Sequence, residues 1–404
     1  MVEHEVSRAN EAAAARAPKR LFFWGINRMG EEYLPNSHCL AAQGSVPSVV
    51  SVTSNFQAER PLHPGAKLAL SSIFEQAWPD PAKLGIDSRS AAILINESKE
   101  TIAGHLKVRT DELFFIGEPS LGFHLGISGL LSPDSRLFHS AVDRQEIFAI
   151  AQFHQKIGIE IEQLPVDRWG RTQIPAPSAR DVVAWQLSNI ETGAIQNSIA
   201  QIASPVFYDA TASGVRIELP ENWSTALWDS RSWAGPAGLG VFARRNSTNW
   251  NNPLPHIDNR VVPDSASHAL IVASALAIDS WVADEKTQSR KIADANQRIR
   301  GFISERIADC DFGSPEVGAL PHQLSFSFLY VDAQRLVSEL ADMNIAIDSG
   351  SACNSANMEP SHVLAAQGVL THGNVRITLH HELLPEQVDL LLLALAATVE
   401  KLRA

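Results

Sequence analysis

The amino-acid sequence predicts an α/β protein with two lobes: a large lobe on a mostly parallel seven-stranded sheet, and a smaller α+β lobe. Three observations carry this expectation. Between Leu113 and Ala243 short apolar runs bounded by turn residues alternate with helical stretches, the pattern of strands buried on both faces of a sheet. Beyond a long helical stretch, His268 to Arg298, the alternation changes character. The chain has 404 residues, more than the roughly 250–300 over which a single core keeps growing.

The elements follow in order. Glu97 to Leu106 reads as a helix, and Leu113-Phe114-Phe115-Ile116 as a buried strand closed by Gly117-Glu118-Pro119. A helix is expected to start near Ser120, with Leu121, Leu125 and Leu130–Leu131 as its apolar positions. Arg136-Leu137-Phe138 is the second strand, Gln145 to Ile157 a helix, Ile159 to Leu164 the third strand and Val182 to Leu187 the fourth. Pro205 to Tyr208 is the fifth and ends at Asp209; Ala226-Leu227-Trp228 is the sixth; Gly240 to Ala243, after a Gly235-Pro236-Ala237-Gly238 turn, is the seventh. The smaller lobe is expected to hold a strand at Gln323 to Tyr330, a helix at Ala333 to Met343, strands at Ile345 to Ile347 and Val375 to Thr378, and a buried last helix around Val388 to Val399. These readings divide the chain into an N-terminal extension (1–47), a large domain (48–262), a linking helix (263–298) and a small domain (299–404). The Pro-rich stretch Pro253 to Pro263 is the best connector.

Composition narrows the function classes. Apolar residues make up 45% and charged residues 19%, as in ordinary folded proteins. The net charge is -12, which argues against a partner held by its phosphate backbone. No run approaches the roughly 18 apolar residues of a membrane span. Met1 to Ala17 carries three Glu and no apolar core, so a signal peptide is not expected. The three cysteines, Cys39, Cys310 and Cys353, are widely spaced and form no CxxC pair, so neither a disulfide framework nor a zinc site is expected, and a reducing cytoplasm is the simplest setting.

Chemistry concentrates near the C-terminus. Cys353 lies in Asp348-Ser349-Gly350-Ser351-Ala352-Cys353-Asn354-Ser355, followed by Glu359-Pro360-Ser361-His362-Val363-Leu364. Small polar neighbours suit a thiol that must reach a substrate as thiolate, although a plain surface cysteine fits the residues about as well. Arg376, in Asn374-Val375-Arg376-Ile377-Thr378, has a guanidinium fork that can grip a carboxylate. Asp209 ends a strand, where active groups of open α/β sheets cluster, or it is a capping Asp. Ser120 opens a helix whose free N–H groups suit an anion, or it is a simple N-cap. His139 and Asn189 occupy loops after strands.

The Cys353 segment resembles the active-site loop of cysteine desulfurases, SSGSACxS followed by EPSxVL, with only Asp348 departing. The resemblance extends from about Val50 to the C-terminus. These enzymes are a branch of the class V aminotransferases, homodimers with the fold type I PLP-transferase architecture that use pyridoxal 5'-phosphate (PLP). The resemblance implies that Cys353 takes sulfur from L-cysteine or a related amino acid as a persulfide and passes it to a sulfur-acceptor protein. It implies that Arg376 grips the substrate carboxylate and that Asp209 pairs with the pyridine nitrogen of PLP. It implies further that His139 stacks on the ring, that Ser120 helps hold the phosphate, that Asn189 contacts the cofactor, and that Ser265 matches a threonine lent by the opposing subunit.

The sequence also departs from that pattern. The family's PLP lysine lies in SxHKxxGPxGxG, and the matching residues here are Asp229 to Gly240, with Arg231 at the histidine and Ser232 at the lysine. Only nine lysines occur, none of them between Lys156 and Lys286. A serine forms no imine and is a poor base. Glu118 and Asp229 bring carboxylates toward the expected phosphate, Arg231 offsetting part of their charge; Ala212 and Ile190 replace a glutamine and an asparagine. Three readings follow: a desulfurase-like enzyme holding PLP without a lysine bond; a non-catalytic relative that keeps the fold and the Cys353 loop and acts as sulfur acceptor, scaffold or regulator; and, as the weakest, a different PLP-dependent reaction that does without the lysine.

Overall fold

The computed structural model describes residues 54–404 apart from 58–60, 75–78, 257–259, 264, 351–359 and 381. The expected extension, 1–47, therefore lies outside the described residues, as does Cys353. Val52–Ala404 form one compact unit.

Seven strands make the main sheet: β2 (Leu113–Ile116), β3 (Arg136–Ser140), β4 (Glu160–Leu164), β5 (Val182–Gln186), β6 (Val206–Asp209), β7 (Thr225–Asp229) and β8 (Gly240–Arg244). Their order is β2-β8-β7-β6-β5-β3-β4. All neighbours pair in parallel except β8, which runs antiparallel to both β7 and β2. Every residue of β5, β6 and β7 is buried, as central strands covered on both faces require. The helices α3 (Pro119–Ser128) and α4 (Gln145–Lys156) contribute Phe123, Leu125, Ile147 and Ile150 to the core that also holds Phe207 and Leu227.

Two helices precede this sheet: α1 (Pro64–Phe74) and α2 (Ile86–Leu106). The second begins 11 residues before the expected Glu97, because its first turns carry Ser, Arg and an exposed Ile86 rather than an apolar stripe. The linking helix, α5 (His268–Arg306), has 39 residues and runs past the expected Arg298. Its first part is buried at Ile271, Ala275 and Ile278, while Ile299 and Ile303 enter a second core.

That second core belongs to a four-stranded antiparallel sheet, order β12-β13-β10-β9, made of β9 (Cys310–Phe312), β10 (Gln323–Phe328), β12 (Asp348–Ser349) and β13 (Asn374–Thr378). A separate parallel pair joins β1 (Ser54–Asn55) to β11 (Ile345–Ala346). The helices α6 (Ala333–Asp342), α7 (His362–Gln367) and α8 (Pro385–Arg403) complete the lobe, with Leu336, Leu340, Leu391 and Leu395 in its core. Among the described residues no helix is long and apolar enough to cross a membrane.

One ion pair pins the start of two central strands. Arg136 Nη2 lies 2.9 Å from Asp181 Oδ2, and the amides of Arg136 and Ser178 also donate to that carboxylate at 3.2 and 2.7 Å. Burial pushes the Asp181 carboxyl up, but these donors outweigh it and hold it at about 2. The folded value lies below the ordinary value of about 4, so the pair's contribution is complete above pH about 4 and is lost as pH falls toward about 2. Asp181→Asn is expected to lower stability by about 1–3 kcal/mol at neutral pH. It should also flatten the fall between those two pH values, read from urea denaturation at a series of pH.

Candidate active site

Segments that follow the carboxyl ends of β2, β3, β6 and β7 line a cleft of about 250 Å³ whose lining includes Glu118, Ser120, Arg144, Thr211, Asp229 and Arg231. Each residue has a local cause. Glu118 is the N-cap of α3, with Pro119 behind it, and its Oε1 accepts from Ser120 N at 3.1 Å. The helix N–H expected to meet an anion therefore meets the chain's own carboxylate. Ser265 Oγ accepts from Gly117 N at 3.1 Å, so it is engaged within its own chain.

Asp229 caps the short 3-10 turn Ser230–Trp233. It accepts from Arg231 N at 2.9 Å and Arg231 Nε at 2.8 Å, and it also binds Arg231 Nη2. Ser232 is 1% exposed. Its Oγ donates to Asp229 O at 2.7 Å, and its carbonyl accepts from Arg216 Nη1 at 2.6 Å. Gly214, with φ of 56°, backs directly onto it: a Cβ there would sit 2.4 Å from Ser232 Oγ. The serine is thus buried and packed directly against Gly214.

Asp209 is 3% exposed. Its Oδ1 accepts from Thr211 N at 2.8 Å and Thr211 Oγ1 at 2.5 Å. Its Oδ2 lies 3.4 Å from Arg144 Nε. Burial pushes this carboxyl up, and Arg144 and Thr211 work against that. Arg144 is the N-cap of α4; its guanidinium lies over the Phe123 ring, 5.8 Å from the centroid.

His139 is also buried. Its Nδ1 lies 3.1 Å from Ser140 O, and its ring meets Phe148 edge-on at 4.9 Å between centroids. Burial pushes the imidazole below its ordinary value, the Ser140 carbonyl opposing. Beside it Asp143 is fully buried, accepting from Ser140 N at 2.6 Å, and burial pushes its carboxyl far above the usual range. Asn189 is 1% exposed, and its amide is spent on the protein: Nδ2 donates to Val142 O, in the segment after β3, at 2.9 Å, and Oδ1 accepts from the amides of Glu191 and Thr192 in its own turn. It braces the turn instead of facing the cleft.

A second cleft, of about 510 Å³, adjoins the first at Arg144 and Glu146 and is bordered by Gly350 and Pro360–Val363, the residues that flank the undescribed Cys353 segment. Ser361 Oγ donates to Glu191 Oε2 at 2.7 Å, and His362 Nε2 lies 2.8 Å from Asp143 O. At the other flank Arg376 Nη2 donates to Ser349 O at 3.1 Å. Cys310 lies on β9; burial and Asp311 push its thiol up to about 12, Arg403 opposing, so it is a poor nucleophile. Among the described residues no group of three His, Cys, Asp or Glu could hold a metal ion.

Comparison with known proteins agrees with this architecture. A family model for aminotransferase class-V matches residues 265–391. The chain is 25% identical to a cysteine desulfurase IscS of Dictyoglomus turgidum over 373 residues, covering 86% of this chain and 94% of the relative. It is 24% identical to a cysteine desulfurase IscS of Clostridium botulinum (strain Hall), covering 82% and 90%. The chain thus resembles cysteine desulfurases along most of its length and carries a class V aminotransferase match in its C-terminal part. Solved structures share its fold: a NifS-like protein superposes with a TM-score of 0.78 at 18% identity, over 86% of this chain and 99% of the other. The apo cysteine desulfurase of Thermococcus onnurineus gives 0.75 at 16% identity, over 86% and 95%.

The cofactor that this resemblance implies is PLP, and the residues present do not fit it. The helix N–H nearest the expected phosphate is taken by Glu118. The aspartate expected to face a pyridine nitrogen faces Arg144. The cations lining the cleft are Arg144 and Arg231, neither of which can form an imine. Ser120 and Asp209 occupy the expected helix start and strand end and Arg376 lies within the expected strand, whereas the Asn189 amide is taken up by its own turn and by Val142 O. Sequence reading missed Arg144. Its signal was a charged Asp143-Arg144 step between the end of β3 and the start of α4, beside the strand end that carries Asp209.

Proposed function

We propose that this chain is a sulfur carrier on a cysteine desulfurase-like body, in which Cys353 holds a persulfide and the lysine-dependent release of sulfur from L-cysteine is not run. The observation that carries the reading is Ser232, buried, bonded to Asp229 O and backed by Gly214 where the family pattern has its lysine. Losing a positioned general base typically costs roughly 10²–10⁴-fold, and a hydroxyl supplies no imine. The thiol chemistry needs no such base. A Cys353 thiolate attacks the outer sulfur of a donor persulfide, the donor's S–S bond breaks, the donor leaves as a thiolate, and Cys353 keeps the sulfur as a persulfide. Arg376 would hold a carboxylate of the donor or of a bound amino acid through its guanidinium fork. By family analogy the protein works as a homodimer, in a reducing cytoplasm, and hands its sulfur to an acceptor protein.

The test uses the purified full chain. With PLP and L-cysteine we expect no visible cofactor band, no sulfide and no alanine. With a low-molecular-weight persulfide we expect Cys353 to gain the mass of one sulfur atom, and Cys353→Ser to lose that gain. Sulfide and alanine formed catalytically from L-cysteine would overturn the reading.

A further inference from the structure

We infer that Arg144 fills the cofactor slot of this chain, so that an internal ion-pair set, Arg144–Asp209 with Glu118 and Asp229–Arg231, stands in for PLP and closes the site to it. The inference deepens the sulfur-carrier reading and rests on the same family assignment.

A carboxylate as buried as Asp209 is costly unless a cation and hydrogen bonds meet it. Thr211 satisfies one oxygen through its amide and hydroxyl. The other oxygen faces Arg144 Nε at 3.4 Å. A pyridinium N–H would need that same oxygen, because it is the one not already held by Thr211. The guanidinium also covers the Phe123 ring and lines both clefts, so it stands between them.

The phosphate end is closed in the same way. Glu118 already caps Ser120 N, and Asp229 already holds Arg231 through three donors. An incoming phosphate would have to displace one carboxylate from a helix amide and separate another from its arginine, in a cleft where both negative charges would then repel it. Ring end and phosphate end thus each carry a chain-derived partner of the right sign.

Retention of PLP after equilibrium dialysis, together with the melting temperature with and without millimolar PLP, tests this on the full chain. The parent is expected to retain only background PLP and to show no shift. The Glu118→Gly, Arg144→Ala, Asp229→Ser triple variant is expected to retain PLP well above that background and to melt higher in its presence. A second measurement covers a triple variant that does not fold. Arg144→Ala is expected to melt below the parent, and adding Asp209→Asn to recover part of the loss, because the isosteric amide removes the orphaned charge. Stoichiometric PLP on the parent, or an Arg144→Ala protein as stable as the parent, would overturn the inference. PLP retained by a parent that releases no sulfide would overturn it while leaving the sulfur-carrier reading standing.

Discussion

Phe207→Ala is expected to lower the free energy of unfolding by about 3–5 kcal/mol, the range for truncating a fully buried phenyl ring. Phe207 is 0% exposed and sits in β6, opposite Ala184 on one side and Thr225 on the other. Its ring meets Phe123 of α3 edge-on, 5.8 Å between centroids. The helix comes this close only because Gly126 faces the ring: a Cβ there would lie 2.4 Å from Phe207 Cδ2. When the phenyl is removed, a glycine on the facing helix has no side chain with which to fill the hole, so the cavity persists and its full cost is felt. The check is urea denaturation followed by tryptophan fluorescence, comparing midpoints at unchanged slope. A loss under about 1 kcal/mol would mean that the helix collapses onto the sheet. The same contact ties stability to the site, since Asp209 lies two residues further along the same strand.

The contrast between Phe207 and Arg144 shows what could be read from sequence. The strands of the large sheet announce themselves: runs such as Val182-Val183-Ala184-Trp185 must be buried on both faces, and each apolar run became a strand. Elements of the smaller lobe without such runs did not. β9 is half-buried and mixes Cys, Asp and Phe; β12 has two residues; α7 has six, with no charge pattern to mark it. The site divided along the same line. Asp209 was legible because it ends an apolar strand, and Ser232 because the Gly235-Pro236 turn fixes the register around it. Glu118 and Asp229 were legible as misplaced charges, yet their partners were not, because a hydrogen bond to Ser120 N or the capture of Asp229 by the Arg231 amide and guanidinium depends on the local fold of each turn. Arg144 needed two strand ends brought together by the sheet, β3 and β6, which are not neighbours in sequence. Asn189 failed in the opposite direction: its motif suggested a ligand contact, while its own turn and the Val142 carbonyl after β3 take up its amide.

Ser232→Lys taken alone is expected to give no cofactor band and a less stable protein. The serine is 1% exposed and bonded to Asp229 O, and Gly214 backs directly onto it. A lysine there would carry its ammonium into a buried site near Arg216 and Arg231, where desolvation and like charge both favour the neutral amine. A neutral amine is the reactive form, so the protonation state is not what blocks function. The obstacle is the slot itself, which Arg144 and the two capped carboxylates occupy. Adding Glu118→Gly, Arg144→Ala and Asp229→Ser to Ser232→Lys is therefore expected to produce a visible cofactor band. Alanine formation from L-cysteine should rise by the roughly 10²–10⁴-fold that a positioned base contributes, measured against the triple variant that keeps Ser232. If Ser232→Lys alone reached the activity of the quadruple variant, Arg144 would be a bystander and the missing lysine would be the whole difference between this chain and its relatives. If the quadruple variant bound PLP without forming alanine, the erosion would extend to the substrate side, and the next residue to interrogate would be Arg376, whose guanidinium donates to Ser349 O at the edge of the Cys353 segment.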